Sequence, residues 1–194
     1  MFSMDNLNLG YAMCGSFCTL KKSVNTLKTL KEKGYNVTPI MSDIVFNTNT
    51  RFYTCDDLKR DVEEICQNKI ISTVVEAEPI GPRKLFDVLV VCPCTGNTLS
   101  KICNGITDTS VTMAVKAHLR NKKPVVIAIA TNDALGNCAK NIGTMLNSKN
   151  IFFVPFDQDD PFGKNNSLIS DFNLLDKTIE YSIKGEQIQP IIKK

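Results

Sequence analysis

Residues 87–105, Asp-Val-Leu-Val-Val-Cys-Pro-Cys-Thr-Gly-Asn-Thr-Leu-Ser-Lys-Ile-Cys-Asn-Gly, decide the fold. The run from 87 to 93 is apolar and rich in valine, which is typical of a strand buried on both faces of a parallel sheet. Residues 95–98 predict a turn, and residues 99–105 predict the start of a helix. A buried strand that leads directly into a helix indicates an α/β protein.

The same alternation of strand and helix continues through the rest of the chain. Apolar runs predict further strands at 9–14, 36–41, 70–75, 125–130 and 151–154. Helical spacing of apolar residues predicts helices at 20–33, 56–68, 110–119, 132–148 and 168–183. Residues 42–54, 76–84 and 157–166 are polar or rich in proline and predict loops. We therefore expect one domain over residues 1–194, built on a doubly wound, mostly parallel sheet with helices on both faces, a Rossmann-like arrangement.

Composition excludes several classes of protein. The 194 residues are 43% apolar and 22% charged, with a net charge of +3, which is ordinary for a globular chain and too weak to indicate nucleic-acid binding. No apolar run approaches the ~20 residues of a membrane span, and the N-terminus lacks the apolar core of a signal peptide. The sequence therefore predicts a cytoplasmic protein.

Cysteine usage favours reduced thiols over a metal site. The chain has eight cysteines, no Cys-x-x-Cys motif and a single histidine, His118. Zinc ligation lacks its usual spacing, and several of these cysteines lie in apolar runs where a thiol packs as a small hydrophobe. We expect no metal.

The residues that follow the strands predict the ligand site, because ligands of doubly wound sheets bind beyond the carboxyl ends of the strands. These residues are hydroxyls, amides and glycines, which suit a neutral polar ligand with a phosphate. Gly15-Ser16 at the start of a helix could cradle the phosphate, or Ser16 could be an ordinary helix cap. The chain has neither Gly-x-Gly-x-x-Gly nor a P-loop, so a dinucleotide site is not expected in it.

The segment 93–101, Pro-Cys-Thr-Gly-Asn-Thr-Leu-Ser-Lys, resembles the Pro-x-Ser-x-Asn-Thr segment of the flavoprotein superfamily, which includes flavin-dependent cysteine decarboxylases and flavin prenyltransferases. Ala130-Thr131-Asn132 falls where the decarboxylases have Pro-Ala-Met-Asn, and Gly15-Ser16 falls where they hold the FMN phosphate. The resemblance implies an FMN site. Its residues are Gly15, Ser16, Thr19, Ser42, Pro93, Cys94, Thr95, Asn97, Thr98, Ala130 and Thr131.

Within that superfamily the chain is more similar to the family of dipicolinate synthase B subunits. The similar segments are 15–19, 49–52, 77–82, 93–98, 131–133 and 154–161. This resemblance implies an oxidoreductase subunit in the mother cell of a sporulating bacterium. It would form dipicolinic acid from dihydrodipicolinate or its hydrated precursor, with an A subunit that binds NAD(P). Members of the superfamily form oligomers, so a homo-oligomer is also expected.

A dicarboxylate substrate needs cationic or N–H partners. Arg51 is the candidate for a bidentate carboxylate clamp, and its alternative is a solvated loop arginine. Asn132 could donate to a carboxylate or to the flavin edge, and Asp133 could act as a base or cap the next helix. Asp157, Asp159 and Asp160 could meet a basic patch on the A subunit, bind a cation or form a hydrated turn.

Two departures from the decarboxylases favour a different chemistry. The catalytic histidine of the decarboxylases would fall near Pro79, which cannot take a proton, and their motif methionine is Thr131 here. Two alternatives to the synthase role stay open from sequence. One is a stand-alone flavin enzyme of the decarboxylase or prenyltransferase type, and the other is a non-catalytic assembly subunit with a vestigial flavin pocket.

Overall fold

The computed structural model describes residues 7–193, and within them one seven-stranded sheet carries helices on both faces. The strands are β1 Asn8–Met13, β2 Asn36–Met41, β3 Val88–Cys94, β4 Val125–Thr131, β5 Ile151–Phe153, β6 Phe156–Asp157 and β7 Leu168–Ser170. The helices are α1 Leu20–Glu32, α2 Asp43–Asn47, α3 Cys55–Cys66, α4 Val74–Ala77, α5 Gly96–Cys103, α6 Ser110–Leu119, α7 Ala139–Leu146 and α8 Leu175–Ile183.

Five strands form a parallel sheet in the order β2-β1-β3-β4-β5. Near its carboxyl end, β4 also pairs in antiparallel fashion with β7, where Ala130 lies opposite Ile169, and β7 pairs with β6. This topology confirms the predicted doubly wound, mostly parallel sheet. Pro39 lies in β2 at the edge of the sheet, where a missing N–H costs least.

Both faces of the sheet are buried, which explains why the central strands are apolar throughout. Val88, Val90 and Cys92 of β3 pack on the side of α1, α3 and α8, whereas Leu89 and Val91 pack on the side of α5, α6 and α7. The side chains alternate between two cores, so no polar face remains.

Two segments have a different secondary structure from the one predicted. The predicted strand at 70–75 is reduced to a bridge between Ile71 and Ile40, and α4 begins directly after it. Thr73 and Glu76 form a capping box there, each accepting a hydrogen bond from the other's backbone N–H. The predicted loop 42–54 contains the short helix α2.

Two predicted helices are too long. The helix predicted at 132–148, with Leu135 and Leu146 among its inward residues, is found only over Ala139–Leu146. Leu135 lies before it and is 49% exposed, and Leu146 at its end is 43% exposed. The helix predicted at 168–183 begins at Leu175, because its first residues pair with β4 as the strand β7. This hairpin lies beside the strand ends and forms one wall of the candidate site.

No helix among residues 7–193 is long and apolar enough to cross a membrane. All eight cysteines are free thiols.

Candidate functional site

A cavity with a volume of about 870 Å³ lies at the carboxyl ends of β1, β3 and β4. That volume is within the ~300–1,000 Å³ that is usual for ligand sites. The loops that follow these strands form three of its walls, and the β6–β7 connection forms another. The lining residues are Gly15, Ser16, Phe17, Cys18, Thr19, Thr95, Gly96, Asn97, Ser100, Asn104, Ala130, Thr131, Asn132, Asp133, Asn137, Cys138, Lys140, Asn141, Asp159, Lys164, Ser167, Leu168 and Ile169.

The loop after β1 lines this cavity, and several of its backbone N–H groups have no acceptor among residues 7–193. The amides of Ser16 and Thr19 donate to the carbonyls of Cys14 and Ser16, at 2.8 and 3.0 Å. Within residues 7–193, the amides of Gly15, Phe17 and Cys18 have no acceptor, and the Ser16 hydroxyl caps no helical N–H. Ser16 is therefore not the ordinary side-chain cap, and the loop keeps free donors for an anion.

The loop after β3 is held by its own hydroxyls. Thr95 caps α5, since its Oγ1 accepts from the N–H of Thr98 at 3.2 Å, and the same hydroxyl donates to Thr98 Oγ1 at 3.1 Å. Asn97 is exposed on the cavity wall and has no side-chain hydrogen bond to residues 7–193. A Cβ on Gly96 would lie 2.8 Å from Thr131 Oγ1, so any larger residue here would force the Thr131 side chain to shift.

After β4 the chain makes turns rather than a helix. The Asp133 carboxylate accepts from the N–H of Asn137 at 3.2 Å, and its carbonyl accepts from Gly136 and Cys138. Asp133 therefore stabilises this turn and does not cap a helix, because α7 begins after Cys138 without a side-chain cap. Its role as a base stays a prediction. Asn132 lines the cavity, is exposed and makes no side-chain hydrogen bond within residues 7–193.

The β6–β7 connection contributes a charged pair to the wall. The Lys164 ammonium lies 3.1 Å from Asp159 Oδ2, and the Asp160 carboxylate accepts from the N–H of Gly163. Burial alone would raise the pKa of Asp159, but the Ser167 hydroxyl and the Lys164 ammonium outweigh it and hold that pKa below its ordinary value. The Asp159 carboxylate raises the pKa of Lys164. Within residues 7–193 no cluster of three acidic, cysteine or histidine side chains could hold a metal.

The remaining wall is a polar seam between α5 and the start of α7, a feature that the sequence analysis missed. Gly96 and Ser100 of α5 and the residue that follows the helix, Asn104, line the cavity at a spacing of four residues, and Ser100 contacts Asn141. Asn141 is buried and donates to Ser100 Oγ at 2.8 Å, and Ser100 donates to the carbonyl of Gly96 at 2.7 Å. The spacing of small and polar residues in α5 is the signal that could have identified this seam.

Five predicted site residues do not line the cavity. Pro93 and Cys94 are buried in β3, and burial raises the pKa of the Cys94 thiol well above its ordinary value, so Cys94 is a packing thiol rather than a thiolate. Thr98 is buried behind the capping hydroxyl of Thr95. Ser42 is also buried, and its hydroxyl has no partner within residues 7–193.

Arg51 is the fifth residue, and it lies outside the cavity wall. It is exposed, and its guanidinium carbon lies 4.7 Å from the ring centroid of its neighbour Phe52. The predicted carboxylate clamp therefore has no contact with the cavity in this chain. The other predicted site residues line it together: Gly15, Ser16, Thr19, Thr95, Asn97, Ala130, Thr131, Asn132 and Asp133.

The cavity fits an FMN molecule by its donor set. The free amides of the β1 loop suit the phosphate, and the hydroxyl and amide side chains along the walls suit the ribityl chain and the polar ring edge. The glycine at 96 lets a planar group approach the backbone where a side chain would collide.

Comparisons with known proteins identify the family of this chain. The family model described as Flavoprotein matches residues 3–164. The dipicolinate synthase B subunit of Bacillus subtilis (strain 168) is 41% identical over 192 residues, which covers 99% of this chain and 96% of that protein.

Solved structures give the same result. The dipicolinate synthase B subunit of Bacillus halodurans C superposes with a TM-score of 0.91 at 39% identity, and the match covers 100% of this chain and 99% of that one. The FMN-dependent cysteine decarboxylase SpaF superposes with a TM-score of 0.67 at 19% identity, covering 94% and 97%, which shows a shared fold. The chain belongs to the flavoprotein family and, within it, to the family of dipicolinate synthase B subunits.

Proposed function

We propose that this chain is the FMN-binding subunit of a dipicolinate synthase. Together with an NAD(P)-binding A subunit, it forms dipicolinic acid from dihydrodipicolinate or its hydrated precursor in the mother cell of a sporulating bacterium, and it acts as a homo-oligomer. The observation that carries this proposal is 41% identity, over nearly the whole chain, to the dipicolinate synthase B subunit of Bacillus subtilis. The cavity at the strand ends, whose lining loop has free backbone amides that could bind a phosphate, supports it.

Different residues of this chain would bind the different parts of FMN. The amides of Gly15, Phe17 and Cys18 would bind the phosphate, and Ser16 and Thr19 would add hydroxyls. Asn97, Ala130 and Thr131 line the wall along which the rest of the molecule would lie. When bound, FMN supplies an acceptor for two electrons, which is the oxidation that converts a dihydropyridine ring into an aromatic one.

The overall change is a dehydration followed by a two-electron oxidation, for which bound FMN would be the electron acceptor. The hydrated precursor loses one molecule of water to give dihydrodipicolinate, which then loses two electrons and two protons to give dipicolinate. Asn132 stays a predicted hydrogen-bond donor to substrate or flavin, because its amide is exposed in the cavity and free of protein partners among residues 7–193.

The structure gives no support to decarboxylase chemistry. Pro79, at the position of the decarboxylase histidine, lies in the helical turn Glu78–Ile80, which is not part of the cavity wall. No histidine lines the cavity, since the single histidine of the chain, His118, is buried in α6.

The test is a reconstitution with three preparations: this chain alone, the A subunit alone and both together. Each receives the hydrated precursor and NAD(P), and dipicolinate is quantified by chromatography. We expect rapid product formation only from the mixture, a loss of rate when this chain is stripped of flavin, and recovery on adding FMN. Equal rates with the A subunit alone would contradict the proposal and favour the assembly role, whereas turnover by this chain alone would favour a stand-alone flavin enzyme.

A further inference from the structure

The polar seam between α5 and α7 contains an unusual arrangement for two packed helices. Asn141 occupies an inward position of α7, 7% exposed, where an apolar residue would pack against α5 without cost. Its partner Ser100 is likewise polar and lies on the facing side of α5. Buried polar groups weaken a helix contact unless they are satisfied, so this pair indicates a requirement beyond packing.

The hydrogen bonds of the seam fix the orientation of the Asn141 amide. The Ser100 hydroxyl donates its hydrogen bond to the carbonyl of Gly96. Its oxygen can therefore only accept from Asn141. The Nδ2 atom of Asn141 therefore points to Ser100, and its Oδ1 atom has no donor among residues 7–193. A carbonyl oxygen on the cavity wall is thus available to an N–H or O–H group of a ligand.

Lys140 supplies the charge at the same end of the cavity. Four charged residues line it, and two of them, Asp159 and Lys164, neutralise each other. The Asp133 carboxylate is bonded to the N–H of Asn137. Lys140 forms no ion pair with residues 7–193. It lies in the first turn of α7, where the helix dipole also favours an anion.

We propose that Lys140 and Asn141 form a subsite for the substrate, in which Lys140 is the counter-ion of one carboxylate and Asn141 Oδ1 accepts from the hydroxyl of the hydrated precursor. This inference rests on the proposed function, because the substrate class is taken from it. It assigns to the α5–α7 seam the role that the sequence analysis expected of Arg51, which lies outside the cavity.

The test measures the binding of pyridine-2,6-dicarboxylate to the FMN-loaded chain by calorimetry, with the neutral pyridine-2,6-dicarboxamide as a second ligand. The variant is Lys140→Gln, and the matched control is Lys149→Gln, which removes the same charge from an exposed residue outside the cavity. We expect Lys140→Gln to weaken dicarboxylate binding by ~10-fold, the typical loss for one charge-assisted hydrogen bond. Lys149→Gln should bind as the unaltered chain does, and the dicarboxamide should bind both variants equally.

A measurement of flavin binding distinguishes failure of this inference from failure of the proposed function. FMN and riboflavin are titrated into each variant, and both should bind Lys140→Gln with unaltered affinity. A loss confined to FMN would overturn the inference, because Lys140 would then bind the phosphate. Unaltered dicarboxylate affinity of Lys140→Gln, or no binding by the unaltered chain, would also overturn it. A chain that binds the dicarboxylate through Lys140 but takes up no flavin would retain the subsite and contradict the proposed function.

Discussion

At the scale of single residues, the candidate site depends on close approaches that only small side chains permit. Gly96 lies beside Thr131, and both line the cavity that we assign to FMN. Thr131 is β-branched and stiff at χ1, so it can give way to a new Cβ only by rotating as a whole. The pair therefore sets the width of the site between the β3 and β4 loops.

Replacing Gly96 with alanine should narrow the site. The new Cβ would meet Thr131 Oγ1 at 2.8 Å and displace the hydroxyl. We expect Gly96→Ala to weaken FMN binding by ~10-fold, or about 1.4 kcal/mol. Gly143→Ala is the control, since it adds a Cβ in α7 with no atom within 4 Å. It should leave FMN affinity unaltered and stabilise the fold by about 0.5–1 kcal/mol. Equal FMN affinity of the two variants, measured by fluorescence titration, would exclude Thr131 from the site.

At the scale of elements, the docking of α1 onto the sheet positions the phosphate loop, because α1 begins directly after it. Ser23 of α1 is fully buried and donates to the carbonyl of Cys92 in β3 at 2.7 Å. The Tyr11 hydroxyl of β1 lies 3.0 Å from the Ser23 carbonyl, to which it donates. One residue thus ties the helix to two strands at their carboxyl ends.

Loss of the Ser23 hydroxyl should lower the stability of the fold more than loss of the Tyr11 hydroxyl. Ser23→Ala leaves the buried Cys92 carbonyl without its side-chain donor, so we expect the free energy of unfolding to fall by about 1–3 kcal/mol. Tyr11→Phe keeps the bond from Ser23 to Cys92, and we expect a loss of only about 0.5–1.5 kcal/mol. Urea unfolding of both variants measures the difference. A greater loss from Tyr11→Phe would show that the tyrosine, not the serine, holds α1 in place.

Local sequence predicted most elements and failed where distant contacts decide the structure. The strands at 36–41 and 125–130 and the helix at 110–119 are found within a residue of their predicted bounds, because apolar periodicity and burial agree there. The residues 168–170 have helical spacing, yet they form β7 because the free edge at the end of β4 offers hydrogen bonds. No pattern within 168–183 encodes that edge.

The site residues were likewise predictable where local sequence places them and not where distant contacts do. The residues after β1, β3 and β4 were predictable, because the carboxyl ends of parallel strands meet at one edge. Lys140, Asn141 and Lys164 were not, because they reach the cavity through the turns after β4 and through the β6–β7 connection. Arg51 shows the converse, since a suitable residue type in a suitable loop lies outside the cavity.

At the scale of the whole molecule, one buried group connects stability to pH. His118 is the single histidine of the chain and is 1% exposed, with its Nε2 atom 3.1 Å from the carbonyl of Pro124. Burial lowers the pKa of His118 to about 4, the Pro124 carbonyl opposes that change, and the Lys123 ammonium adds to it. The native state therefore keeps this ring neutral.

The sign of the pH effect follows from this pKa. Between pH ~6.5 and ~4 the unfolded chain binds a proton at His118 that the native chain does not, so stability falls as the pH is lowered through this window. The contribution of the single group is about 3 kcal/mol over the full window. His118→Gln can still donate to Pro124 and should lose less stability than the unaltered chain between the two pH values. The free energy of unfolding of both proteins is measured between pH ~6.5 and ~4. An equal fall in the two proteins would contradict a neutral buried histidine.

The central claim is that this chain holds FMN in the cavity at its strand ends. The most direct measurement is the absorbance spectrum of the purified chain, followed by identification of the cofactor released on denaturation and by titration of the stripped chain with FMN. We predict a two-banded flavin spectrum, release of FMN in stoichiometric amount, and its return to the stripped chain. A colourless protein that takes up no added FMN would contradict the claim and leave the chain as an assembly partner of the A subunit.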